Sequence, residues 1–110
     1  MTPRRRRRLR AQASLERIAF EIAELDPRAA ARFIEAVEES LELLSEMPEV
    51  GVRFETDDPM LAHRVRKWVI PRFRRYLIFY FVEADVVHFI ALIDGRSDYV
   101  VTDERHDFEE

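Results

Sequence analysis

From Arg64 to Tyr80 the chain reads RVRKWVIPRFRRYLIFY, and this stretch limits the fold more than any other. Basic residues interleave with Val65, Trp68 and Val69. The chain breaks at Pro71 and then closes in the run Tyr76-Leu77-Ile78-Phe79-Tyr80. Aromatic and branched residues bounded by a proline and a charge cluster predict a strand inside a sheet. Period-two alternation puts Tyr76, Ile78, Tyr80 and Val82 on one face and Leu77, Phe79 and Phe81 on the other. The next apolar segment repeats the pattern, with Val87, Phe89, Ala91 and Ile93 opposing His88, Ile90 and Leu92. Both faces of the sheet must therefore be covered, or one must be offered to a partner.

The preceding residues supply one covering layer. Leu15, Ile18, Ala19 and Ile22 form the stripe of an amphipathic helix over Ala11–Leu25. Asp26-Pro27 gives a cap acceptor and a proline at the first position of a second helix. That helix reaches about Met47, with Ala30, Phe33, Ile34, Val37, Leu41 and Leu44 on one face. So short a link requires an antiparallel helical hairpin. Pro48 stops it, Glu49–Pro59 reads as a polar loop, and strands are expected over Ala62–Ile70, Arg74–Val82 and Val86–Ile93. Ala84-Asp85 is short enough for a tight hairpin. The predicted class is α+β: an N-terminal helical hairpin on one face of a small antiparallel sheet. Two helices cover one face only, so the other is expected to remain an exposed apolar patch, the alternative being that the loop and the tail fold over it.

At 110 residues the chain is long enough for one core and too short for two. Residues 1–100 are expected to form a single domain, with 1–8 as a frayed edge strand or an arm and 101–110 as a loosely held acidic tail. The net charge of −4 hides segregation: +6 over residues 1–10, −9 over 11–59 (4 basic, 13 acidic), +6 over 60–82 and −7 over 83–110 (2 basic, 9 acidic). Five consecutive arginines, Arg4–Arg8, make a poor strand by repulsion. Neither a long apolar run nor a signal-peptide pattern occurs, so no membrane association and a cytoplasmic location are expected.

The residue inventory excludes much chemistry. There is no cysteine, and His63, His88 and His106 lack ligand-like spacing, so neither a metal nor a cofactor is expected. Two glycines cannot build a phosphate loop, and no serine has a nucleophile's context. Metal-free RNA cleavage stays open, since it needs cations for a phosphorane-like transition state and an acid–base pair. Arg66, Arg74, Arg96 and Tyr99 are the residues that could supply them. With one lysine in the chain, the base supply is poor and the balance leans against an enzyme.

Val65-Arg66, Trp68, Phe73 and Tyr76–Tyr80 resemble the signature of the RelE/ParE toxin superfamily, and the longer turn before Tyr76 is most similar to ParE-type members. Arg10-Ala11, Leu15-Glu16-Arg17-Ile18 and Pro48-Glu49-Val50-Gly51 look like family positions too, so the resemblance spans about residues 9 to 98. It implies a growth-arresting toxin of a type II toxin–antitoxin system that inhibits DNA gyrase. It also implies a cognate antitoxin whose flexible segment wraps the toxin in a hetero-oligomer. The alternatives are a RelE-like ribosome-dependent mRNA endoribonuclease, acting on the ribosome and its mRNA, and a non-toxic module that only binds antitoxin. For the target surface the candidates are Arg66, Lys67, Arg72, Arg74, Arg75 and Arg96. For the antitoxin surface they are Trp68, Phe73, Leu77, Phe79 and Phe81. Where ParE-like chains commonly read His-Gly-x-Arg-Asp, this one reads Asp94-Gly95-Arg96-Ser97-Asp98.

Overall fold

The computed structural model describes residues 4–103 and the backbone of 108 and 109. Two helices, α1 (Leu9–Leu25) and α2 (Pro27–Glu46), follow a short first strand, β1 (Arg4–Arg8). The Asp26 carboxylate accepts the Arg28 backbone N–H at 3.0 Å, so the cap read from the sequence forms. After α2 come β2 (Val52–Arg53), β3 (Arg66–Val69), β4 (Tyr76–Glu83), β5 (Val86–Asp94) and β6 (Phe108–Glu109). They make one mixed sheet in the order β2-β3-β4-β5-β1-β6. The α+β class and the helical hairpin hold. The sheet is antiparallel except where β1 runs parallel to β5.

Three expectations fail for identifiable reasons. The arginine run is neither a frayed edge nor an arm. β1 sits between β5 and β6, joined by backbone bonds that do not depend on side-chain type. Its inward guanidiniums are matched: Arg7 reaches Glu38 of α2 at 3.1 Å on one face, and buried Arg8 grips Asp103 at 2.7 and 3.0 Å on the other.

The period-two reading of β5 is also displaced. Phe79 pairs with Ala91 but Tyr80 with Phe89, so Ile90 is an extra residue in β5. A bulge shifts the facing of everything beyond it. Leu92 therefore joins Val87 and Phe89 beneath the helices, while Ile90, Ala91 and Ile93 lie on the opposite face.

Most consequential, that opposite face is not open. Leu77, Phe79, Phe81 and Ile90 are buried under Leu61 and Val65 of the loop before β3 and Val101 of the C-terminal segment, with Phe54 and Tyr99 packed alongside. Thr56 Oγ1 donates to the Val101 carbonyl at 2.8 Å, tying the two covers together, and Arg10 Nη2 of α1 donates to that of Thr102 at 3.2 Å, tying the C-terminal segment to the helix. The segment expected to be a loose tail is thus part of the packing as far as Asp103. The rest of that expectation, over 104–107 and 110, lies outside the described residues, as does that for residues 1–3.

Candidate functional site

β3 and β4 are joined by a tight turn in which the Phe73 N–H donates to the Ile70 carbonyl at 3.1 Å. Pro71 presets its first central position, and the second, Arg72, takes φ of 69°. Turns of this kind prefer glycine there, because a Cβ in the left-handed region is strained. An arginine holding that place, exposed and 3.7 Å from the similarly exposed Glu39, is a feature packing does not require. Arg74 and Arg75, also exposed, follow it directly.

The last turn of the sheet adds Arg96 beside them. Asp94 accepts Arg75 Nε at 2.9 Å and the Arg96 backbone N–H at 2.9 Å, while Arg96 Nε stands 3.6 Å from its carboxylate. The hydrogen bond from Arg75 is the main reason the Asp94 carboxyl is held below the usual carboxylate range. Asp94 is therefore the clamp that fixes two arginines. Arg72, Arg74, Arg75 and Arg96 form one basic end of the sheet, with Asp94, Glu39 and Glu21 as acidic neighbours among the described residues.

Arg66 lies elsewhere. It pairs across from Tyr80, four residues of β4 beyond Tyr76, or about 14 Å of strand rise. Its Nη1 donates to the carbonyls of Gly51 at 2.7 Å and Glu49 at 3.2 Å. The Tyr80 hydroxyl accepts the Gly51 N–H at 2.9 Å and donates to the Pro48 carbonyl at 2.7 Å. Burial raises the Tyr80 pKa, which keeps the phenol protonated. Gly51 belongs here because a Cβ would stand 2.4 Å from the Tyr80 oxygen. Lys67 is half-buried in β3, opposite Phe79.

The residues considered for RNA cleavage are not brought together. Arg66 shares the Tyr80 face, Tyr99 packs on the opposite face with its ring 5.6 Å from that of Phe79, and Arg74 and Arg96 sit at the far end. Nor do the residues expected to meet an antitoxin share a surface. Leu77, Phe79 and Phe81 are under the loop and the C-terminal segment. Trp68 and Phe73 lie on the helix side, where Trp68 Nε1 donates to Ser40 Oγ at 3.1 Å and Phe73 packs edge-on to Phe33. Half-buried Trp68, with Pro71, Arg72, Ala36, Glu39 and Leu43, lines a groove of about 200 Å³ between α2 and the turn.

Comparison with known families matches residues 6–99 to the ParE toxin of type II toxin–antitoxin systems. The chain belongs to that family. No curated protein matches it. The ParE match reaches from within β1 to Tyr99, so it takes in both helices, the Arg66–Gly51–Tyr80 node and the basic end. The sequence signal for the node was present in Pro48–Gly51 and Tyr80, but nothing local to either segment shows that they touch. Among the described residues no group of histidines and carboxylates could hold a metal ion. His88 is stacked on Phe81 with ring centroids 4.7 Å apart and its Nδ1 3.1 Å from Arg8 Nη2, and His106 lies outside the described residues.

Proposed function

We propose that this ParE-family toxin inhibits DNA gyrase in the cytoplasm, presenting the basic end of its sheet to that target, and that a cognate antitoxin neutralises it in a hetero-oligomer. The reading rests on Arg72, whose exposed guanidinium is kept at a backbone position where glycine would relieve strain. Arg74, Arg75 and Arg96 extend the same surface, and exposed guanidiniums in a cluster suit recognition of an acidic protein or phosphate surface. Arg66 and Lys67 stand apart from that end. Trp68 and Phe73, beside the groove next to α2, are the proposed antitoxin contacts. Leu77, Phe79 and Phe81 can join them only if the covering loop moves. The scattering of Arg66, Arg74, Arg96 and Tyr99 favours a target-binding toxin over an mRNA endoribonuclease, because proton transfer needs its groups within hydrogen-bond reach of one substrate.

Induced expression in a bacterial host tests this. The expected result is growth arrest with lost supercoiling or broken DNA and intact translating mRNA. Cuts in mRNA at codon-defined positions, abolished by Arg96→Ala, would establish the ribonuclease reading instead. Normal growth with retained antitoxin binding would leave only a non-toxic binding module.

A further inference from the structure

The pairing of β3 with β4 ends at Arg66 opposite Tyr80, whereas β4 continues to Glu83. The notch left beside the end of β4 is a cleft of about 290 Å³. Three guanidiniums from three separate segments line it: Arg53 of β2, Arg64 of the covering loop and Arg66 of β3. Each is anchored. Arg53 Nη1 donates to the His63 carbonyl at 3.3 Å, Arg64 Nη1 to Glu83 at 2.8 Å, and Arg66 Nη1 to the Gly51 carbonyl. Arg64 also lies over the Phe81 ring, 4.9 Å from its centroid. Among the described residues, no hydrogen bond engages Nε or Nη2 of Arg53 or Arg66. These donors are held in place and not consumed, which is the arrangement that lowers the entropic cost of binding an anion.

We propose that this cleft is a carboxylate pocket that receives one acidic side chain of the antitoxin. The inference rests on the antitoxin partnership proposed above. Donor geometry sets the number of anions. Arg64 is engaged by Glu83, Glu49 lines the cleft and Glu55 stands against His63 at 3.6 Å, so the open donors are those of Arg53 and Arg66. They suit one carboxylate. A nucleic-acid strand would bring its second and third phosphates against these glutamates, where like charges repel. Pro48, Phe81 and Val82 supply an apolar wall that suits the methylenes of a glutamate and the flanking residue of a peptide. His63 at the lip has φ of 63°, a strained backbone whose carbonyl holds Arg53 in position.

The test titrates the full chain with N-acetylglutamate methylamide while following arginine Nε–Hε signals by NMR, with inorganic phosphate and a mixed-sequence single-stranded RNA as parallel probes. The pocket predicts saturable shifts at Arg53 and Arg66 with the carboxylate, not matched at exposed Arg17 and Arg28, and weaker effects from both other probes. Arg53→Gln should weaken binding about tenfold with an unchanged melting temperature. Equal shifts at every arginine, tighter binding of phosphate or RNA, or undiminished binding by Arg53→Gln would each overturn the proposal. A chain that shows no carboxylate binding here yet is rescued by a co-expressed antitoxin overturns the pocket alone. A chain that binds the carboxylate but that no antitoxin rescues overturns the antitoxin as occupant and the partnership with it.

Discussion

Replacing Arg66 with lysine separates a residue that builds the fold from one that serves a target. Its Nη1 donates to the Gly51 carbonyl at 2.7 Å in a half-buried setting and to the Glu49 carbonyl at 3.2 Å in an exposed one. Hydrogen bonds from a charged donor contribute about 1.5 kcal/mol when part-buried and well under 1 kcal/mol when wet. Lysine keeps the charge but has no planar fork to fix one nitrogen between two carbonyls. Arg66→Lys should therefore cost about 1 kcal/mol and Arg66→Met, which loses both bonds, about 2 kcal/mol. For a domain of this size these correspond to falls of about 5 and 10 °C in melting temperature, measured by circular dichroism with urea unfolding as a check. Tyr80→Phe offers an internal control, because Tyr80 holds the N–H of the same Gly51 whose carbonyl Arg66 holds. A double-mutant cycle should show coupling of about 0.5 kcal/mol or more. Unchanged melting in both Arg66 variants, with an additive cycle, would refute the structural role and return Arg66 to the target surface.

Gly51→Ala should destabilise by about 2 kcal/mol or more, since its Cβ meets the buried Tyr80 ring, and urea unfolding measures it. Ala84 and Asp85 both have positive φ, 52° and 61°, the mirror-image turn that favours Asn-Gly. The double change Ala84→Asn with Asp85→Gly should raise stability by about 0.5–1 kcal/mol in the same assay. Because the folded-state Asp94 carboxyl lies below its unfolded value, its contribution is present above about pH 4 and is lost as pH falls through the lower folded value. Stability of the parent chain relative to Asp94→Asn should therefore shrink on acidification through that range, and a difference that grows instead would contradict the Arg75 clamp.

What was legible in the sequence follows the reach of each signal. The helical stripes, the Asp26 cap and the aromatic strand are written in residues three to seven apart, and the structure keeps them with boundary shifts of a few residues. β1 is not legible in the sequence because repulsion among Arg4–Arg8 is a local argument, while the partners of Arg7 and Arg8, Glu38 and Asp103, lie 31 and 95 positions away. The bulge at Ile90 leaves no mark in an apolar run, so strict period-two alternation gives Leu92 and Ala91 the opposite facing to the one they adopt. The covered face is legible only as the alternative to an open one, because Val65 sits in a stretch that reads as a strand, Leu61 just before it and Val101 in a polar tail. Of the basic candidates, the sequence placed all six in one group. Only the fold divides them, with Arg66 drawn to the Gly51 loop and Arg72, Arg74, Arg75 and Arg96 left at the open end of the sheet.

The central claim is that this basic end acts on gyrase. Its most direct test adds the purified chain, and an Arg72→Ala/Arg74→Ala variant, to purified gyrase with relaxed plasmid and ATP. Both substituted side chains are exposed, so the variant should melt with the parent or above it. The parent chain should suppress supercoiling or accumulate cleaved plasmid at near-stoichiometric amounts, and the variant should lose most of that effect. Full supercoiling in the presence of excess parent chain, or equal inhibition by the variant, would contradict it.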